Sequence, residues 1–333
     1  MGIGEFNMNG YDKVAKISLP TTINTDGVNV FLIKGDTITL VDAGHNIEGS
    51  WEVFNDQLKS YGYTVKDIKQ IIITHHHVDH IGFIKYFDHD ITLIGHSDCE
   101  RWLNPTTPFL EQHDVFFNEL FNQLSVPDDL AKQYLIHKND HVIENAHRGI
   151  DLKVKEGSEI PDLSEWRIVH TFGHCQGHIS LFHPEDKILI GGDILMPHIS
   201  PNPILEPPLH IGGERLRPQI QLNETLRKLF DLQIERVLPG HGEDITNARE
   251  LINIRLKRQH ERAIRIRDWL VEEPMTAFEV CSRLFPKSYK SRLGLTLFET
   301  VGHLDYLIAQ NLIIEARRKD GFNYSVNIKS KQY

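Results

Sequence analysis

Cysteine is scarce. Cys99, Cys175 and Cys281 are few, odd in number and widely spaced in 333 residues. That excludes a disulfide framework and fits a reducing cytoplasm. No apolar run approaches the ~20 residues that a membrane-spanning helix needs. The first residues, Met1 to Met8, lack the basic start and apolar stretch of a signal peptide. The second methionine points to residues 1–7 as an addition, with the folded chain beginning at residue 8. Repeats and low-complexity segments are also missing. Lys and Arg number 36 against 46 Asp and Glu, a net charge of −10, with 40% hydrophobic residues. This is a soluble globular composition, neither disordered nor membrane-embedded. At roughly 100–200 residues per domain, the length suits one large domain with a small one, or two medium ones. Histidine is plentiful instead, with 20 residues.

The first 245 residues alternate short β-rich runs with helical spacing, the pattern of helices covering sheets. Val28–Ile33 and Thr37–Asp42, separated by Gly35 and Asp36, predict a hairpin. Trp51, Phe54, Leu58 and Tyr61 predict a helix over 48–61, and Ile68–Ile73 a strand. Residues 100–149 break the rhythm with aromatic, helical sequence and are read as an insertion. Strands are expected at 166–170, 187–190 and 236–239, and a helix at 219–231. The proline-rich stretch 196–210 can hold neither sheet nor helix and must be a loop.

From about Ile245 the character changes. A long helix is expected over 247–271, then helices at 277–284 and 295–310. Strands follow at 312–317 and 322–326, with a turn at Lys319–Gly321. Helix, helix and hairpin in this order predict a winged helix. Residues 255–333 carry about 15 basic and 9 acidic side chains, leaving the rest near −16.

The strand ending at Ile73 runs into Thr74-His75-His76-His77-Val78-Asp79-His80. Alternate residues of an extended chain share a face, so His75 and His77 can address one ion. Asp79 and His80, past a turn, can address a second. Imidazoles and carboxylates are ligands for zinc and neighbouring metals. Three further elements recur in order: Gly173-His174-Cys175-Gln176-Gly177-His178 after a strand, Gly191-Gly192-Asp193 at a strand end, and Pro239-Gly240-His241-Gly242 at another.

Across residues 12–245 these motifs resemble the metallo-β-lactamase superfamily, and the chain as a whole resembles its lactamase-β-like and glyoxalase-II-like hydrolases. The resemblance implies an α/β fold, an αββα sandwich over residues 8–245, followed by a small α+β unit at 246–333 made of a linker helix and the winged helix. It implies two divalent metal ions. One would be held by His75, His77 and His174, the other by Asp79, His80 and His241, with Asp193 bridging. Zinc is the preferred ion; manganese or iron also suits the set. A hydroxide shared by the two metals would attack a carbonyl or phosphorus centre, with Asp79 steering or relaying the proton.

Other residues carry lesser expectations. His76, between ligands, is read as structural or solvent-exposed. Asp42 is either an acceptor fixing a ligand tautomer or an ordinary turn aspartate. His178 is expected to be a buried hydrogen-bonding residue, and Cys175 a packed thiol pointing away from the ligands. His198 and His210 are read as surface histidines near the site. The helix at 295–310 contains no Lys or Arg, so a packing or oligomerising role, as in a homodimer, is favoured over nucleic-acid binding. The preferred reading is a cytoplasmic hydrolase of a small ester, thioester or lactone. The alternatives are an endoribonuclease acting on single-stranded RNA and a DNA-binding regulator with a structural metal site.

Overall fold

A computed structural model describes residues 13–23, 26–87, 90–144, 148–318 and 321–328, with backbone alone over 137–144. Residues 1–7, set aside above, and the turn residues Lys319 and Asp320 lie outside the described residues. The chain begins with β1 (Val14–Leu19), β2 (Val28–Lys34), β3 (Ile38–Val41), α1 (Ser50–Ser60), β4 (Ile68–Ile72), the short α2 (Val78–Ile81) and β5 (Thr92–His96). Three helices follow, α3 (Glu100–Leu103), α4 (Thr107–Gln123) and α5 (Asp128–Glu144), before β6 (Leu152–Val154). Then come β7 (Arg167–His170), β8 (Ile179–His183), β9 (Ile188–Gly192), α6 (Pro218–Asp231) and β10 (Arg236–Pro239). The C-terminal unit holds α7 (Ala248–Glu272), β11 (Met275–Thr276), α8 (Ala277–Leu284), α9 (Leu293–Ala309), β12 (Ile313–Arg318) and β13 (Gly321–Val326).

β1 to β6 form one sheet in sequence order, antiparallel from β1 to β3 and parallel from β3 to β6. The second sheet has the order β10-β9-β8-β7, with β9 and β10 parallel. Central strands such as β3, β8 and β9 are buried along their whole length because both faces of the sheets are covered. On β2, Phe31 and Ile33 enter the core between the sheets, while Val30 and Leu32 pack under α1 with Phe54 and Leu58. On β9, Ile188 and Ile190 face inward and Leu189 packs against Leu222, Leu226 and Leu229 of α6. The result is helix, sheet, sheet, helix. The period-two alternation of strand side chains dictates it.

A second core lies outside this sandwich. Phe117, Leu120 and Phe121 of α4 pack with Ile266 and Leu270 of α7, Val280 of α8, and Leu297, Phe298 and Leu304 of α9. The C-terminal part of α4 and the start of α5 therefore share a core with the C-terminal unit, while α3 and the start of α4 pack into the core under α1. Helix α9 is buried along most of its length, from Leu293 to Leu307, which explains a sequence without Lys or Arg. Asp305, buried on α9, takes two hydrogen bonds from Arg215 at 2.8 and 2.7 Å. The C-terminal strands form a small antiparallel sheet, β11-β13-β12.

Because Phe117 is fully buried in the shared core, Phe117→Ala is expected to lower stability by ~3–5 kcal/mol in urea unfolding. Hydrogen exchange should show α9 amides losing protection alongside those of α4. Unchanged α9 protection would contradict a shared core.

Candidate metal centre

The site lies where four strands end. β4, β7, β9 and β10 each deliver their C-terminal residues to one edge of the sandwich, where loops can carry convergent side chains without interrupting the ladders. The chain leaves β4 through Thr74 and His75 and turns into α2, which places His77, Asp79 and His80 together. The hinge of this turn is Asp42, just past β3, with φ of 62°. That left-handed conformation is one Asp tolerates. There Asp42 accepts from the Thr74 backbone N–H at 2.7 Å and the Thr74 hydroxyl at 2.9 Å. Its Oδ2 lies 2.8 Å from His80 Nδ1, so His80 keeps its proton there and presents Nε2 to the site.

After β7, His178 Nδ1 meets Thr171 Oγ1 at 2.8 Å, while its Nε2 accepts from the Asp193 N–H at 3.1 Å. His178 thereby fixes the backbone that carries Asp193. Gly192, with φ of 52°, leaves no room for a side chain: a Cβ there would lie 2.8 Å from both His178 Nε2 and Thr74 Oγ1. Gly240 is tighter still, since its Cβ would stand 2.4 Å from Asp193 Oδ1 and 2.9 Å from His80 Cε1. The glycine before His241 is what lets the loop approach. His241 Nδ1 donates to the Gly27 carbonyl.

All seven sequence-predicted residues come together. His77 Nδ1 lies 3.0 Å from His75 Nε2 and 3.0 Å from His174 Nε2. Asp193 reaches His80 Nε2 at 3.3 Å, His241 Nε2 at 3.4 Å and His174 Nε2 at 3.6 Å, so it stands between the two groups. Asp79 lies 3.3 Å from His241 Nε2 and 3.8 Å from His80 Nε2. Apart from His77, which is half-buried, these residues are buried. Asp79 Oδ2, His80 Nε2 and Asp193 Oδ1 have no well-aligned hydrogen-bond partner. Orphaned buried donors and acceptors are costly, and imidazole nitrogens with carboxylate oxygens at this spacing fit divalent cations.

The electrostatics divide the cage. Burial pushes His75 and His77 well below the usual imidazole range, and neighbouring imidazoles push the same way. At His80 burial also favours the neutral ring, but Asp193, Asp79 and Asp42 outweigh it and hold the pKa well above the usual value. At His241 burial is likewise outweighed, by Asp193 and Asp79, and the pKa is raised to about 10. Asp193 goes the other way: its burial is overcome by His241 and His80, and it stays ionised.

Of the two roles open to His76, the structural one holds and the exposed one does not. The ring is buried, stacked on Trp102 at 4.6 Å, with Nε2 2.9 Å from Glu206 Oε1. Cys175 is a packed thiol, but the expectation that it points away from the ligands needs correction. It sits in a tight turn between Gly173 and Gly177, both at positive φ, so extended-chain alternation fails there. Its Sγ is within 4.8 Å of ligand nitrogens of His75 and His77. Burial raises its pKa well above the thiol range, which keeps it protonated. His198 is exposed and paired with Glu243 at 2.9 Å, and His210 is exposed. Sequence reasoning missed Glu206, Trp102 and Asn202. The signal for Glu206 is a lone acid in the otherwise uncharged run Pro203–Pro208.

Fold and site define a class, and comparison with known proteins gives the family. The description "Metallo-beta-lactamase superfamily" matches residues 23–241. The chain is 37% identical over 302 residues to the "Probable metallo-hydrolase YqjP" of Bacillus subtilis (strain 168), covering 91% of this chain and 94% of that one. Its fold resembles that of a metallo-beta-lactamase family protein, TTHA1429 from Thermus thermophilus, with a TM-score of 0.79 at 22% identity, over 94% of this chain and 98% of that one. A beta-lactamase domain protein from Burkholderia ambifaria gives 0.77 at 19% identity, over 96% and 94%. The chain belongs to the metallo-beta-lactamase superfamily, and it is a metal-dependent hydrolase.

The tight approach at Gly240 and the protons held by His80 and His241 can each be tested. Gly240→Ala is expected to weaken divalent-cation binding about 10–100-fold while leaving the circular dichroism spectrum unchanged; wild-type affinity in that variant would mean the loop has slack. His80 and His241 hold protons at neutral pH in the cation-free protein, so a cation must displace them. Affinity should therefore climb as pH rises from 6 to 9. Calorimetry in buffers of differing protonation enthalpy should detect at least one proton released per chain, and no release would contradict the assignment.

Proposed function

We propose that this protein is a two-cation hydrolase of a small ester, thioester or lactone. The observation that carries the reading is the convergence of five imidazoles and two carboxylates with their ligand atoms 3.0–3.8 Å apart. His75, His77 and His174 would hold one cation, Asp79, His80 and His241 the other, with Asp193 between them; the donor set favours zinc, and manganese or iron also suits it. Such a pair supplies an acidified water and Lewis acidity toward the attacked oxygen. The chain's own contribution is geometric and protic. Asp42 and the Gly27 carbonyl fix which nitrogen His80 and His241 present. Asp79, buried with no aligned partner for its Oδ2, would steer or relay the proton of the attacking water toward the leaving group.

Charge argues for a small substrate. The part of the chain that carries the cage has a net charge near −16, which repels a polyanion. We read residues 8–245 as the catalytic domain and 246–333 as a linker helix with a winged helix, α8 and α9 forming its helices and β12–β13 its wing. The burial of α9 supports a packing role for that unit, since a helix covered on most sides cannot enter a groove.

The test uses 4-nitrophenyl esters, acyl thioesters and homoserine lactones. Hydrolysis of at least one class is expected, abolished by a chelator, restored by zinc or manganese, and reduced at least ~100-fold in His77→Ala, in line with loss of a group essential to the cation-activated water. If wild-type protein leaves all three untouched but cleaves labelled single-stranded RNA, and His77→Ala does not, the small-substrate reading is wrong and the ribonuclease reading replaces it.

A further inference from the structure

The cage is assembled from segments nearly a hundred residues apart in sequence, His75–His80 after β4 and His174 after β7. Between them and the outer helices runs 202–208, which belongs to no strand or helix. Its backbone grips His174 twice. The Asn202 carbonyl accepts from His174 Nδ1 at 2.9 Å, leaving Nε2 free for the cage, and the Ile204 N–H donates to the His174 carbonyl at 2.9 Å. Glu206 then turns inward. Its Oε2 accepts from the Gln176 backbone N–H at 2.6 Å, and its Oε1 lies 2.9 Å from His76 Nε2. One buried carboxylate thus spans both ligand-bearing segments.

The outer side of the same segment is fastened elsewhere. Leu205 is fully buried in the core shared by α4 and the C-terminal unit. Asn202 Nδ2–H donates to the Leu295 carbonyl of α9 at 2.8 Å, and Arg101 of α3 donates to the Pro207 and Pro208 carbonyls at 2.7 and 2.8 Å. A fully buried carboxylate is expensive unless several partners satisfy it. Glu206 Oε2 has such a partner in the Gln176 N–H, while its Oε1 faces His76 Nε2 at ion-pair distance without hydrogen-bond alignment, and the two contacts belong to the two loops that must stay in register.

We propose that Glu206 is a positioning residue that clamps the two ligand-bearing loops together, and that 202–208 is the strap through which the C-terminal unit sets the geometry of the cage. The proposal rests on the two-cation reading above. A carboxylate suits the task because it offers an acceptor on each side. Glutamine keeps an acceptor for the Gln176 N–H, so Glu206→Gln preserves volume and that contact while removing the charge and the acceptor that face His76.

The test is zinc affinity by chelator competition on folded, full-length protein, with thermal melting measured in parallel. Wild type should bind two zinc ions; if it binds none, the two-cation reading falls. With wild type loaded, Glu206→Gln is expected to bind zinc about 10–100-fold more weakly. His76→Asn should show a smaller loss, and the double variant should be no weaker than Glu206→Gln alone, because both remove the same contact. Wild type loaded and Glu206→Gln within twofold of it, with only the melting temperature lowered, makes Glu206 a stabilising residue and overturns the clamp. If Glu206→Gln does not fold, His76→Asn decides: wild-type zinc affinity in that variant overturns the proposal.

Discussion

The structure depends on a convergence that the polypeptide alone cannot satisfy. Five imidazoles and two carboxylates aim ligand atoms at one another across 3.0–3.8 Å. The protein interior magnifies both their attraction and the cost of leaving any of them unpaired. Among themselves they reach a compromise: Asp193 stays ionised, while His80 and His241 keep protons. Cations resolve the compromise better than protons do, because each can satisfy several lone pairs at once.

Much of the surrounding architecture follows from holding these groups at that spacing. Two parallel-leaning sheet edges bring four strand ends to one place. Gly192 and Gly240 let backbone approach where any side chain would collide. Asp42 adopts a left-handed backbone so that a single carboxylate can fix Thr74 and His80 together. The Asn29 amide donates to the Pro239 and Gly242 carbonyls, 2.9 Å each, and steadies the loop of His241 from the opposite sheet. The second core, far from the donors in sequence, reaches them through Leu205 and Asn202. The helical insertion and the C-terminal unit are thus structurally continuous with the site.

The donors were legible because chemistry-bearing residues cluster locally: four lie within His75–His80, and the remaining three each follow a strand and stand beside glycine. The sandwich was legible from apolar runs long enough to show their period. Strands β6 and β11, three and two residues long, are too short to show any alternation. Glu206 stands out in the sequence as a lone acid, but its partners were illegible for a different reason. Its partners are a backbone N–H at Gln176 and a side chain 130 positions earlier in the chain, His76, and nothing in a proline-rich loop announces such a fold-back. The direction of the Cys175 side chain was misjudged because extended-chain alternation does not survive a turn between two glycines at positive φ. For α9, the absence of Lys and Arg agrees with the burial of most of its length, although Glu299 and Asp305 lie on it.

That the cage holds a pair of cations is the central claim, and anomalous X-ray diffraction at a metal absorption edge tests it most directly. Crystals grown with zinc should show two peaks inside the ring formed by His75, His77, Asp79, His80, His174, Asp193 and His241, separated by ~3.5–4 Å. A single peak, or peaks only on surface histidines such as His198 and His210, would contradict it.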